Sequence, residues 1–219
     1  MKKKLLLAVL SALMIAALVV TGCGKDTHKI SENVYKVATN PNQLKNVSVK
    51  VYRFYDGKAT QTVDYIDKDQ ALSVSIRGGE ILPTGYLIIK DGKLYEFLFD
   101  EEKESWYLHG SVDVSYDNVI ESYLEGWEIG NYSDYIYNEA TGAYVSGSVR
   151  ETKDDPVAHD VGATVFFEKN KLTSFQKNYV FEIDGELEYM TSIYFLTEYE
   201  KTKVVIPTDL QTLLDSYFK

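Results

Sequence analysis

The residues best equipped for chemistry gather in one short stretch, Asp154-Asp155-Pro156-Val157-Ala158-His159-Asp160, which places four potential metal ligands within seven residues. Calcium loops need oxygen ligands at alternating positions with glycine at the sixth, and this stretch lacks that pattern. It reads as a solvated acidic loop, and no metal is expected. Ser174 and Lys177 match S-x-x-K by letters. That chemistry sets the serine at a helix start with the lysine one turn on, whereas the surroundings here read as strand, where the two side chains point to opposite faces. No G-x-S-x-G elbow, P-loop, Rossmann glycine pattern or H-E-x-x-H is present. His109 follows Trp106-Tyr107-Leu108 at a strand end without a nameable partner, and the 33 acidic residues make carboxylate pairs by chance. Neither a catalytic set nor a cofactor is expected. What remains is Cys23, the single cysteine, which excludes an internal disulfide framework and a cysteine-rich zinc site.

The elements that position these residues begin with a leader. Lys2, Lys3 and Lys4 precede an apolar run from Leu5 to Val20, sixteen residues long, which is short for a membrane span and typical of a signal-peptide core. Val20-Thr21-Gly22-Cys23 then sets two small residues and the cysteine at the cleavage point. This resembles the lipobox of bacterial lipoproteins, which implies that the Cys23 sulfur takes a diacylglycerol, that residues 1–22 are removed and that Cys23 becomes the N-terminus. Residues 23–33, with Lys25, Asp26, His28, Lys29 and Glu32, read as a polar tether, and His28 as one of its solvated residues. The expected location is the outer face of the cell membrane in a bacterial envelope, held by acyl chains.

Composition limits the partners. Losing three lysines and no acid takes the formal charge from −10 to −13 over the remaining 197 residues. Acid excess excludes a nucleic-acid surface, which needs clustered Lys and Arg to release counterions. It also predicts that the body stands off an anionic membrane, leaving attachment to the acyl chains. With 45% apolar residues the chain can build a core, and one domain over residues 34–219 and a monomer are expected.

From Val47 the pattern is that of strands. Val47, Val49 and Val51 alternate with polar residues, and Asp56-Gly57 leads into Thr60 to Ile66, the two-residue hairpin signature. Asp91-Gly92 and Asp184-Gly185 repeat it, and Lys169-Asn170 joins Gly162 to Glu168 with Lys171 to Gln176. Such hairpins predict one meandering antiparallel sheet of roughly eight to eleven strands, since parallel strands need helical crossovers. Pro83, Pro156 and Pro207 fit strand ends or loops. Both faces of Glu186 to Tyr199 are apolar, as are both faces around Leu94 to Phe99, so the sheet must be covered twice. Two amphipathic helices are available. Tyr116, Val119, Ile120, Tyr123 and Leu124 share one face, with Ser115 as N-cap and Gly126 as the stop. Leu210, Leu213, Leu214, Tyr217 and Phe218 repeat the spacing after Pro207, with Thr208 and Gln211 as a capping box. A weaker helix is expected over Ile30 to Val37.

This layout, with a central helix between runs of strands and a last strand ending in Val204-Val205-Ile206-Pro207, is similar to the LolA-like superfamily, in particular its lipoproteins of the LppX and LprG type. The resemblance implies a mainly β fold, a curled antiparallel sheet forming an open half-barrel covered by short helices, with an apolar cavity for a lipid or acyl chain. Cavity candidates are then Val49, Val51, Leu87, Ile89, Phe97, Phe99, Phe167, Tyr179, Phe181, Ile193 and Phe195, under a helix contributing Val119 and Tyr123. Shape and desolvation suffice for such binding, so no enzyme is expected. The competing expectation is a surface interaction or envelope-assembly module that meets a protein or glycan through loops at Trp127, Tyr132, Tyr135 and Tyr137, or at Asp154 to Asp160.

Overall fold

The computed structural model describes residues 29–127, 129–146, 150–151, 158–183 and 186–219. The leader, Cys23, His28, Asp154 to Val157 and the Asp184-Gly185 turn lie outside the described residues. In chain order the elements are α1 (Glu32–Ala38), α2 (Pro41–Leu44), β1 (Asn46–Tyr55), β2 (Lys58–Asp67), β3 (Gln70–Arg77), β4 (Glu80–Lys90), β5 (Lys93–Asp100) and β6 (Ser105–Asp113). There follow α3 (Ile120–Trp127), a 3-10 turn (Tyr132–Asp134), β7 (Ile136–Asn138), β8 (Ala143–Ser146), β9 (Arg150–Glu151), β10 (Ala158–Glu168), β11 (Lys171–Ile183), β12 (Glu186–Thr197) and α4 (Thr208–Tyr217). The fold is mainly β and antiparallel with short helices, in line with the alternation of the sequence.

Hairpin turns appear where the dipeptides predict them. Asp56 and Gly57 have φ of 46° and 69°, Asp91 and Gly92 52° and 74°, and Lys169 and Asn170 49° and 63°. Two successive positive φ values give the twist that a two-residue hairpin needs. Gly78 and Gly79, at 60° and 90°, turn β3 into β4 in the same way. Several expectations need correction. The strand expected over Lys171 to Gln176 runs on without a break to Ile183. Pro83 lies inside β4, not at its end, facing Val74 where the register shifts. It has no N–H to give the ladder, and the neighbouring Thr84 hydroxyl supplies a bond to the Ser73 carbonyl at 3.1 Å. α3 starts at Ile120 because the Asn118 side chain, rather than Ser115, accepts the Ile120 N–H at 3.2 Å, and Gly126 falls within the helix. In α4 no side chain caps the start, so the Thr208–Gln211 box does not form. The Gln211 side chain instead reaches Asp215 at 2.7 Å.

The described chain divides into two compact units. The larger comprises residues 36–52, 60–129 and 194–219. Its ladder runs β6-β5-β4-β3-β2-β1 and then the end of β12. Register places Val63, Leu72, Tyr86 and Phe97 on one face, and Asp64, Ser73, Gly85 and Leu98 on the other. α4 covers the first face with Leu210 and Leu214, which are 0% and 5% exposed against Val63, Val74, Tyr86, Phe97 and Trp106. Val204 and Ile206 pack there as well, but the last strand ends at Thr197 and not, as expected, at Val204-Val205-Ile206-Pro207, which lies outside any ladder; Val205 is 78% exposed. α3 covers the second face, where the Tyr123 hydroxyl meets Ser73 and Ser73 donates to Asp64 at 2.6 Å. The double covering predicted from the two-sided alternation is therefore present in this unit.

The other unit, residues 29–35, 53–59 and 130–193, carries the ladder β12-β11-β10-β8-β7, with β9 also pairing β10. β6 ends one ladder and β7 the other, so neither closes into a barrel.

The dependence of the first face on α4 gives a direct expectation. Leu214→Ala should lower unfolding stability by about 2–5 kcal/mol in urea titrations, whereas Val205→Ala, being exposed, should stay within about 0.5 kcal/mol.

Candidate functional site

In the smaller unit the start of the described chain is held by tyrosines. The Ile30 N–H donates to the Tyr144 hydroxyl at 2.6 Å, and the Ile30 carbonyl accepts from Tyr132 at 3.0 Å and from Tyr144 at 3.3 Å. Both backbone groups of one residue are thus satisfied by phenols more than a hundred positions away. The next residue, Ser31, starts α1, accepting from the Val34 N–H through its side chain at 3.3 Å and from the Tyr35 N–H through its carbonyl at 3.0 Å. Tyr35 is 3% exposed, and its ring centroid lies 5.4 Å from Phe167, 5.7 Å from Tyr132 and 5.9 Å from Tyr135. Tyr144, on β8, adds contacts to Tyr137 at 5.0 Å and Phe167 at 5.6 Å. Tilted and edge-to-face pairs of this kind contribute about 0.5–1.5 kcal/mol each beyond the area they bury. The Tyr35 hydroxyl donates to the Gly130 carbonyl at 2.7 Å, and Tyr135 accepts the Gly130 N–H at 3.2 Å. Burial, then the neighbouring Tyr135 and Asp134, pushes the Tyr35 phenol far above its ordinary 10.0.

Against this cluster lies a cavity of about 360 Å³. Its apolar lining is Ile30, Val34 and Phe167, of which Ile30 and Phe167 are buried and Val34 half-buried. Its polar lining is Lys29, Ser31, Lys169 and Asn170, all exposed. Lys169 and Asn170 are the tight turn between β10 and β11, so the positive φ values that make the hairpin also set these two residues beside Ile30. A cavity that is apolar on its buried side and cationic at its open side matches a molecule with a tail and a head.

Of the cavity candidates read from sequence, Phe167 alone among the described side chains lines this cavity. Phe97 and Phe99 pack in the core beneath α4, whereas Leu87 is opposite Glu96 and Ile89 opposite Leu94 on the other face, so these pairs cannot share one space. Val119 is fully buried and Tyr123 bonds Ser73 on that second face. Val49 and Val51 are buried on β1, Ile193 is 4% exposed, and the Phe195 ring is 5.9 Å from Tyr52. Tyr179 packs with Lys177, whose ammonium is 4.9 Å from the ring centroid. The Phe181 side chain lies outside the described residues. Trp127, Tyr132, Tyr135 and Tyr137, considered for sugar stacking, all engage other rings, and Trp127 and Tyr135 are buried. Ser174 and Lys177 lie in β11, so the S-x-x-K helix geometry is absent, and His109 is 4.0 Å from Glu96 with both exposed. Among the described residues no group of three His, Cys, Asp or Glu is placed to hold a metal ion, and no helix is long and apolar enough to cross a membrane.

Lys29, Ile30, Ser31, Val34, Lys169 and Asn170 were missed by sequence reasoning. Lys29 belonged to the tether and Lys169-Asn170 to a turn, and no periodicity links residues about 140 positions apart. The available signal was weak: two lysines flanking predicted elements in an acidic chain.

No protein-family model matches the sequence, and no curated protein matches it. Among solved structures, a DUF1329 family protein from Desulfovibrio piger is similar at 9% identity and a TM-score of 0.29, over 86% of this chain and 96% of that one. At that level the likeness assigns neither a family nor a ligand.

Two expectations follow from the tyrosines. Tyr144→Phe removes the partner of the buried Ile30 N–H, so the amide at Ile30 should exchange faster and stability should fall by about 1–3 kcal/mol. Tyr35 and Tyr86 both ionise well above their ordinary 10.0 when folded, because burial disfavours the phenolate. Above about pH 10 the unfolded chain then releases protons that the folded chain keeps, and stability should fall as pH rises, with no contribution from these groups below pH 10. Absorbance titration of the phenolates should show Tyr35 and Tyr86 ionising only with unfolding. Their ionisation in the folded protein near pH 10 would contradict this.

Proposed function

We propose that this chain is a lipid-anchored, non-enzymatic protein of the bacterial envelope that binds an amphiphile, a lipid or acyl-chain molecule. The observation that carries the reading is the cavity beside the tyrosine cluster, with apolar residues on its buried side and lysines, serine and asparagine on its exposed side. Binding needs only shape and desolvation there. Support for the anchor is the leader followed by Val20-Thr21-Gly22-Cys23, which resembles a lipobox and places the acylated residue six positions before Lys29. The LolA-like order of strands and helices agrees with lipid binding. The cavity lies elsewhere than under the central helix, where the resemblance led one to expect it.

Extraction of the purified protein with organic solvent should release bound lipid, and a fluorescent fatty-acid probe should be displaced by added amphiphile. Val34→Glu, which sets a charge among Ile30 and Phe167, should weaken probe binding at least about tenfold by the cost of desolvating it, with the unfolding midpoint little changed. Retained probe affinity in that variant would exclude this cavity. Cys23→Ala should move the protein from the membrane fraction to the soluble fraction.

A further inference from the structure

We infer that the molecule held in this cavity carries an anionic head, a phosphate or carboxylate, and that Lys29 and Lys169 receive it while Ile30, Val34 and Phe167 hold the first part of its single tail. The inference rests on the amphiphile-binding reading and specifies the ligand class. Four observations carry it. Both lysines line the cavity, and among the described residues no carboxylate does. Neither has an ion-pair partner among the described residues, although acidic residues outnumber basic ones by 33 to 23. The lysines come from segments far apart in sequence and are brought together by two fixed devices, the tight Lys169-Asn170 turn and the clamping of Ile30 by Tyr132 and Tyr144. Ser31 and Asn170, also in the lining, add neutral donors suited to oxygen atoms of the same head.

Size and position agree. At about 360 Å³ the cavity is at the lower end of ligand sites, which span roughly 300–1,000 Å³, and suits a head with the start of one chain rather than a whole two-chain lipid. If Cys23 is acylated, the six-residue stretch to Lys29 spans at most about 20 Å, so the cavity stays within reach of the headgroup layer. An acidic body repelled by that layer would then present two cations at this point.

The test uses the full chain in a neutral detergent, with calorimetric titration of octyl phosphate, octanol and inorganic phosphate. Octyl phosphate should bind about tenfold tighter than octanol, as expected for two exposed charge-assisted contacts, and inorganic phosphate much more weakly than either. In the variant carrying Lys29→Gln and Lys169→Gln the advantage over octanol should shrink to less than about twofold, with the unfolding midpoint unchanged, because both lysines are exposed. Raised salt should shrink it likewise. Equal affinity for octyl phosphate and octanol would overturn the anionic head and leave amphiphile binding standing. Inorganic phosphate binding as tightly as octyl phosphate would reduce the cavity to a free-anion site and overturn the role of the tail. Binding of none of the three would overturn both this inference and the amphiphile reading.

Discussion

Alternation of side chains along a strand sends every second residue to the opposite face, and in β3 to β5 both sets of residues need shelter from water. Val74, Tyr86 and Phe97 cannot be covered by the element that covers Ser73 and Gly85. A sheet that is apolar on one side needs one cover, whereas this one needs two from opposite directions, and α3 and α4 supply them. Neither helix exceeds ten residues, too few to persist alone in water, so each helix depends on the sheet as much as the sheet depends on it. The coupling explains why Leu210, near the chain end, is as buried as Phe97 in the middle of the ladder.

The tyrosines follow from the same demand for covered, satisfied surfaces. A phenylalanine at position 144 would fill the space between Phe167 and Tyr137 but leave the Ile30 N–H without a partner. Tyrosine fills it and supplies the oxygen. Tyr35, Tyr132 and Tyr135 likewise join ring packing to a backbone bond, at Gly130 or Ile30. Tyr86 in the other unit bonds a side chain instead, its hydroxyl donating to the Gln70 amide oxygen at 2.7 Å. Part of the unusual tyrosine content is therefore a way of closing irregular backbone, which has no ladder to satisfy it, while still contributing apolar area.

This division separates what was legible in the sequence from what was not. Asp56-Gly57, Asp91-Gly92 and Lys169-Asn170 were legible because a tight hairpin demands positive φ at two neighbouring positions, and few residue pairs supply it at low cost. The helical faces at Ile120 to Leu124 and Leu210 to Phe218 were legible from spacing. Their starts were not, because a cap is chosen by which side chain reaches an N–H, and Asn118 reached Ile120 where Ser115 had been the nearer candidate by pattern. Pro83 within β4 was misplaced because a bulge removes the need for an N–H at one position, and nothing in the neighbouring letters marks a bulge. Face assignment of single apolar residues was legible only within a strand. Phe97 and Leu87 seemed interchangeable as cavity lining until register set them on opposite sides.

The cavity belongs to the class of features that sequence hides, since it forms where the segment leading into α1 and a hairpin turn meet. Its chemistry nonetheless follows from constraints that are visible separately. The turn at 169–170 must stay exposed and polar, for it ends two strands in water, and the segment before Ile30 must be polar if it is a tether. Bringing two polar ends together over the buried edge of an aromatic cluster yields a space that is wet on one side and apolar on the other. In a chain of net charge −10, two lysines and no carboxylate among the described lining residues give this cavity the opposite sign from the protein as a whole. Local sign, rather than net charge, decides which ligand is drawn in once the approach is shorter than about 8–10 Å, the screening length at physiological salt.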